Sequence, residues 1–305
     1  MNSAQEALRA SFVWLVGRTI PPMHWQTSRY RIALDQPRVM GIVNVTPDSF
    51  SDGGRFAGTR SALAHCEQLV ADGADILDIG GESSRPGMEP VPLQEELARV
   101  LPLVREAVTL GVPISVDTYK PEVMRAVLDL GADIVNDIWA LRQPGAEAVV
   151  AQHANCGVCL MHMHGEPRTM QRNPLEGDAV PQVLRFLRER TDALRAQGVS
   201  AERISWDPGI GFGKTVEQNF ALLARQQELA REGYPVLAGW SRKSSLGMVT
   251  GQPVNQRMAA SVAAAVLAVE RGARIVRVHD VRETVAAIKV FNAMQAGAAA
   301  PGETT

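Results

Sequence analysis

From about residue 38 the chain repeats one pattern. A short apolar run ends in a polar, glycine-rich stretch. A longer segment with apolar positions at helical spacing follows, and a Gly or Pro precedes the next run. The runs are Val39–Val45, Asp75–Ile79, Pro113–Val116, Asp133–Asn136, Val158–Met161, Arg203–Trp206, Val236–Ala238 and Arg274–Val278. They are nearly continuous rather than alternating, as strands covered on both faces are. Between them the spacing predicts helices over Thr59–Asp72, Leu93–Leu110, Pro121–Leu130, Gly145–His153, Ala179–Gln197, Val216–Arg231, Val254–Arg271 and Val281–Ala296. Eight strand–helix alternations predict an α/β protein with a closed (β/α)8 barrel over residues 38–296. An open doubly wound sheet is the weaker reading, because such sheets usually have fewer strands. Residues 1–37 fall outside the rhythm. Glu6–Val16 reads as a short helix and Arg29–Leu34, which alternates, as a strand across the barrel bottom. The segment Gly297–Thr305 reads as a flexible tail.

Composition narrows the function classes. Hydrophobic residues make up 46% and charged residues 21%, ordinary for a soluble globular protein. With 31 basic and 33 acidic residues the net charge is −2, which argues against nucleic acid as a partner. Three cysteines, Cys66, Cys156 and Cys159, are too few and too odd for a disulfide scaffold and fit a reducing cytoplasm. No apolar run approaches the ~20 residues of a membrane span, and the N-terminus lacks the pattern of a signal peptide.

In a barrel the segments after the strands face the active site, and here those segments are polar and unusual. They are Asn44-Val-Thr-Pro-Asp-Ser-Phe-Ser-Asp-Gly-Gly54, Gly80-Gly-Glu-Ser-Ser-Arg-Pro-Gly87, Asp117-Thr-Tyr-Lys120, Asn136-Asp137, Met161-His-Met-His-Gly165, Asp207-Pro-Gly-Ile-Gly-Phe-Gly-Lys214, Gly239-Trp-Ser-Arg-Lys-Ser244 and Arg277-Val-His-Asp280. One such end means little. Eight polar ends are what a site assembled from many loops requires.

In order and spacing, these motifs over about residues 38–292 resemble the dihydropteroate synthases of the pterin-binding enzyme family. The resemblance implies a (β/α)8 barrel that condenses 6-hydroxymethyl-7,8-dihydropterin diphosphate with 4-aminobenzoate, releasing diphosphate. It also implies Mg²⁺ held through Asn44 and a homodimer, in a family that is the target of sulfonamides, which mimic the arylamine. A pterin edge rich in N–H donors suits buried acceptors. Asp117, Asn136 and Asp207 are placed for that, Lys243 for the ring's O4 and N5 side, and Met161 for an apolar wall. Taken alone, Asp117 and Asp207 also read as helix caps. Phosphate sites in barrels recur after the last two strands, where Lys243, Ser244, Arg277 and His279 stand. Taken alone, Arg277 also reads as half of a surface salt bridge. The resemblance assigns the 4-aminobenzoate to Ser84, Arg85, Pro86, Phe212 and Ser244. Asp117, Lys243, Arg277 and His279 are then the catalytic set, acting on charge rather than as nucleophiles. On this reading Arg277→Ala and Asn44→Ala damage diphosphate handling and leave the fold intact.

The first loop, about Thr46–Phe56, reads as a lid whose Asp48, Phe50 and Asp52 complete the site. Tyr119, Ser84, Trp240 and His164 depart from the family pattern, and bulky Tyr119 and Trp240 are the two that bear on pocket shape. Three signals are set aside. Pro208–Thr215 is one residue short of a phosphate-binding loop. Cys156-Gly-Val-Cys159 has no second pair. His162 and His164 alternate on a strand end but have only His279 to join them. Of two other readings, Lys243, Arg277 and His279 discriminate against a corrinoid methyltransferase sharing the pterin pocket, and Tyr119 and Trp240 keep open a pterin-binding paralogue without condensation activity.

Overall fold

The structure is a computed structural model that describes residues 23–45, 54–83, 89–166, 169–170 and 172–299. The expected helix Glu6–Val16 and the lid residues Asp48, Phe50 and Asp52 lie outside the described residues, as do Ser84, Arg85 and Pro86. Eight parallel strands close into a barrel: β3 (Arg38–Asn44), β4 (Ile76–Gly80), β5 (Ile114–Asp117), β6 (Ile134–Asp137), β7 (Gly157–Met161), β8 (Ile204–Asp207), β9 (Val236–Ala238) and β10 (Ala273–Val278), with β10 pairing back onto β3. The (β/α)8 expectation is met, and the strands lie within two residues of their predicted ends.

Helices alternate with the strands: α1 (Gly54–Ala71), α2 (Leu93–Ala107), α3 (Pro121–Asp129), α4 (Ala146–Gln152), α5 (Ala179–Ala196), α6 (Val216–Ala224), α7 (Gln227–Ala230), α8 (Ser244–Thr250), α9 (Met258–Glu270) and α10 (Val281–Ala299). The single predicted helix Val216–Arg231 is two, broken at Arg225 and Gln226. The predicted helix Val254–Arg271 begins later, at Met258, and α10 runs on to Ala299. Helix α8 has no counterpart among the predicted helices, being one short stretch with Gly247 at its centre. That glycine has a local purpose: a Cβ there would overlap the Arg257 guanidinium.

Alternation along each strand sorts the side chains. Outward positions such as Val43, Ile79, Val116, Leu160, Trp206 and Val276 pack under the helices. Inward positions near the strand starts, Met40, Ile76, Ile134, Cys159, Leu237 and Ile275, form a separate cluster with Trp25, Ile32 and Leu34. Those last three come from a hairpin of β1 (His24–Gln26) and β2 (Arg31–Ala33). The hairpin is held by Trp25 Nε1 donating to the Arg203 carbonyl at 2.9 Å. With this end filled by apolar side chains and the hydroxyls of Ser115 and Ser205, the charged inward residues lie toward the other end, where the strands finish.

Candidate functional site

The inward positions one and two steps further along the strands are polar. Asp78 follows Ile76 on β4, Asp117 follows Ser115 on β5, Asn136 follows Ile134 on β6, and Asp207 follows Ser205 on β8. Register puts Asp117 opposite Asn136 and Asp207 opposite Met161. Arg277 on β10 reaches across the barrel, donating from Nε to Asp78 Oδ2 at 2.6 Å and from Nη2 to Asp117 Oδ2 at 2.8 Å. Asn136 Nδ2 donates to the same Asp78 oxygen at 3.1 Å. The other oxygen of Asp78 is buried with no hydrogen-bond partner among the described residues.

The sequence reading missed Asp78. Its signal was available: one carboxylate inside the apolar run Ile-Leu-Asp-Ile, in phase with the inward-facing Ile76. Arg277 is a salt-bridge residue, as its simpler reading held, but a barrel-interior one. A buried charge pair is costly to break, so the expectation that Arg277→Ala leaves the fold intact does not survive this geometry.

Arg277, Asp117, Asn136 and Asp207 face a cavity of about 430 Å³, whose lining also includes Asn44, Met161, Phe212, Lys243, Ser244 and His279 but not the buried Asp78. The structure thus gathers every described residue that the sequence proposed for substrate, metal or catalysis, and the volume lies in the range of small-ligand sites. Asn44 ends β3 with an exposed side chain at the mouth. Burial pushes the Asp117 carboxyl up to about 7, against the pull of Arg277. Burial also raises Asp207, although its Oδ1 accepts the Gly209 N–H at 2.6 Å. Burial lowers Lys243 to about 8, against the pull of Asp207. Burial acts to lower Arg277 too, but Asp78 and Asp117 prevail and raise it. Loss of hydration is thus the largest influence on each, the condition under which fixed charges act strongly on a bound ligand.

One side of the mouth is cationic. Arg242 has φ +58°, a left-handed conformation that costs a non-glycine residue of order 1–3 kcal/mol. It is held there by its N–H donating to Ser261 Oγ at 2.9 Å and by an ion pair with Asp280. This turn sets Lys243, whose Nζ stands 4.2 Å from the centre of the Phe212 ring. Ser241 Oγ lies 2.9 Å from His279 Nδ1 and accepts the His279 backbone N–H at 3.1 Å, which fixes the imidazole. Ile138, Met161, Met163, Met170 and Phe212 form an apolar cluster, and all of them but Met163 line the cavity.

The chain matches the pterin binding enzyme family over residues 40–279. It is 50% identical over 276 residues to the dihydropteroate synthase of Neisseria meningitidis serogroup B, covering 88% of this chain and 97% of that one. With the Escherichia coli K12 dihydropteroate synthase it shares 46% over 261 residues, 85% of this chain and 92% of the other. Among solved structures, the Burkholderia cenocepacia dihydropteroate synthase complexed with 7,8-dihydropteroate superposes with TM-score 0.84 at 54% identity, covering 91% and 98% of the two chains. The Xanthomonas albilineans enzyme with 4-aminobenzoic acid gives 0.82 at 51%, covering 87% and 96%. The Yersinia pestis enzyme with a sulfonamide drug gives 0.85 at 43%, covering 90% and 100%.

The chain belongs to the dihydropteroate synthases.

Dihydropteroate synthases are transferases of folate synthesis, and the named relatives decide against the corrinoid methyltransferase reading. The two bulky departures from the family pattern lie outside the cavity lining. Trp240 is buried in the helix layer, with its ring 5.3 Å from that of Phe220. Tyr119 stacks on Trp139 at 5.6 Å and donates its hydroxyl to Glu82 at 2.9 Å. Neither lines the cavity.

The signals set aside resolve in the same direction. Lys214, in the near-match to a phosphate-binding loop, points its ammonium at three backbone carbonyls. Cys156 faces the helix layer and Cys159 the barrel interior, so the two never meet. His162 turns its ring edge-on to Phe186 at 5.0 Å, and burial lowers it to about 2, leaving a neutral imidazole. Among the described residues no three His, Cys, Asp or Glu side chains come together as metal ligands.

Proposed function

We propose that the mouth of the barrel condenses 6-hydroxymethyl-7,8-dihydropterin diphosphate with 4-aminobenzoate, the pterin lying on the acidic base and the diphosphate against the cationic side. The observation that carries this reading is the juxtaposition of Asp117 and Asp207 with Lys243 and Arg277 around one cavity, with Arg277 held by the buried Asp78. Asp117, Asn136 and Asp207 accept the N–H donors of the pterin edge, and an unpaired donor there costs about 1–3 kcal/mol, which gives specificity. Lys243 donates to the ring's O4 and N5 side, and Met161 covers one face. As the methylene C–O bond breaks, negative charge gathers on diphosphate and positive charge spreads into the ring. Lys243, Arg277 and His279 stabilise the first, and Asp117 offsets the second. The arylamine nitrogen then forms the new C–N bond and loses a proton to solvent. No protein nucleophile is needed.

Phe212 and Ser244 hold the aminobenzoate, and Ser84, Arg85 and Pro86 are assigned to it on motif grounds. The donor set fits Mg²⁺ in one respect: Asn44 offers a single amide oxygen at an exposed position on the mouth, and a hard cation that keeps several waters asks little more of the protein. When bound, it would neutralise diphosphate charge. No described helix is long and apolar enough to cross a membrane, and the described cysteines are all free and buried, which favours a cytoplasmic setting.

The test is a condensation assay with both substrates and Mg²⁺, read by mass spectrometry. Dihydropteroate and diphosphate should appear in equal amounts. Pterin binding without product would leave the paralogue reading instead. The two shifted groups set the pH dependence. Asp117 works as a carboxylate and is ionised above about 7, and Lys243 works as a cation and is protonated below about 8. The kcat/KM for the pterin diphosphate should therefore peak between these values and fall on both sides. A flat profile from pH 6 to 9 counts against both roles.

A homodimer is proposed through the helices around the last two strands. Met248 and Val249 on α8, Met258 and Leu267 on α9, and Val290 and Met294 on α10 are exposed apolar side chains on neighbouring helices. Sedimentation should give a dimer, and Leu267→Glu should shift it to monomer. A monomeric wild type at micromolar concentration rejects the proposal.

A further inference from the structure

Lys214 is a buried cation that the reaction leaves unused. It is 2% exposed, and its three N–H donors all go to main-chain carbonyls. Two lie in its own loop, Gly209 at 2.8 Å and Phe212 at 3.1 Å, and one lies just past β7, His162 at 3.3 Å. Burial acts to lower Lys214, and the Asp207 carboxylate opposes that fall.

The loop it closes is pressed hard against its neighbour. Gly209 and Gly213 have φ +66°, and a Cβ at either would overlap the carbonyl of His162 or His164. The His162 N–H donates to the Asp207 carbonyl at 3.0 Å, and the Leu175 N–H to the Gly213 carbonyl at 2.8 Å. On the other side the Gly211 N–H donates to Asn219 Oδ1 at 2.8 Å, and Asn219 Nδ2 to Ser245 Oγ at 3.0 Å, next to Ser244. Three loops that carry site residues are thus interlocked, with the Lys214 ammonium where the first two meet.

We propose that Lys214 is a positioning residue for the condensation: by tying residues 208–215 to the end of β7, it fixes the Phe212 ring beneath Lys243 and holds Asp207 at the pterin end. A cation surrounded by carbonyls suits this task better than water, because it draws three acceptors to one point from a side chain anchored at its own Cα. Misplacing reacting groups by about 1 Å costs on the order of 10²-fold in rate, so a loop shift at this distance is felt in both subsites.

The inference rests on the proposed use of the cavity, and its test separates the two. Lys214→Met keeps the apolar stem and removes the donors. Lys214→Gln keeps two donors. For Lys214→Met, the Kd for the dihydropterin and the KM for 4-aminobenzoate should each rise about tenfold or more, and kcat should fall by about 10²-fold. Lys214→Gln should lie between Lys214→Met and wild type. A purely structural role lowers the melting temperature and the folded fraction but leaves KM and Kd unchanged in the folded molecules, and that result overturns the proposal. Failure of both variants to fold overturns it too, making Lys214 a folding residue. An inactive wild type instead rejects the condensation reading itself.

Discussion

Arg277→Ala lowers kcat/KM by about 10³-fold and unfolding free energy by about 3–5 kcal/mol at once, because the two effects have one source. The guanidinium satisfies Asp78, which is fully buried, and Asp117 in the same geometry. Its removal leaves two carboxylates facing each other in a site that already raises Asp117 through lost hydration. One of them takes up a proton, which changes the acceptor pattern offered to the pterin and removes the counter-charge for the developing cation. Arg277→Lys restores a charge without the two-pronged reach to Asp78 and Asp117, and should recover stability more than activity. Denaturant unfolding and steady-state kinetics on the same preparations check this. A variant with wild-type stability would show that the carboxylates are not held as described.

Lys243→Met is expected to separate stability from activity. The ammonium is lowered by burial and stands over the Phe212 ring, so an apolar chain of similar length removes a desolvation cost and keeps the packing. The melting temperature should stay level or rise, while kcat/KM falls by about 10²–10³-fold, the usual loss for one preorganised donor to a developing negative charge. Asp207 loses a neighbouring cation that holds it down, so pterin binding at neutral pH should weaken as well. Activity within a few-fold of wild type would remove Lys243 from the catalytic set.

The contrast between these variants shows what a linear reading can reach. Strand positions were legible because residues such as Leu77, Ile79, Val158 and Leu160 form apolar runs that only a doubly covered strand accommodates. Asp117, Asn136, Asp207, Lys243, Arg277 and His279 were legible as polar strand ends, and their order matched a family. Partnership was not. Arg277 and Asp78 are 199 residues apart, and nothing local to either marks the other, so the sequence offers Arg277 for diphosphate or a surface salt bridge but not for a barrel-interior pair. Lys214 was weighed only against a phosphate-binding loop, since its three carbonyl partners come from backbone geometry, which side-chain pattern does not encode. Hairpin strand β1 escaped for a related reason: three residues around Trp25 are too few for a period to show.

The most direct test of the two-ended cavity is a crystal structure of the chain with Mg²⁺ and an unreactive dihydropterin diphosphate analogue. The ring should lie within hydrogen-bonding distance of Asp117, Asn136 and Asp207, with the diphosphate against Lys243, Arg277 and His279. A ring bound outside the barrel mouth, or phosphates seated on the carboxylates, would contradict the account.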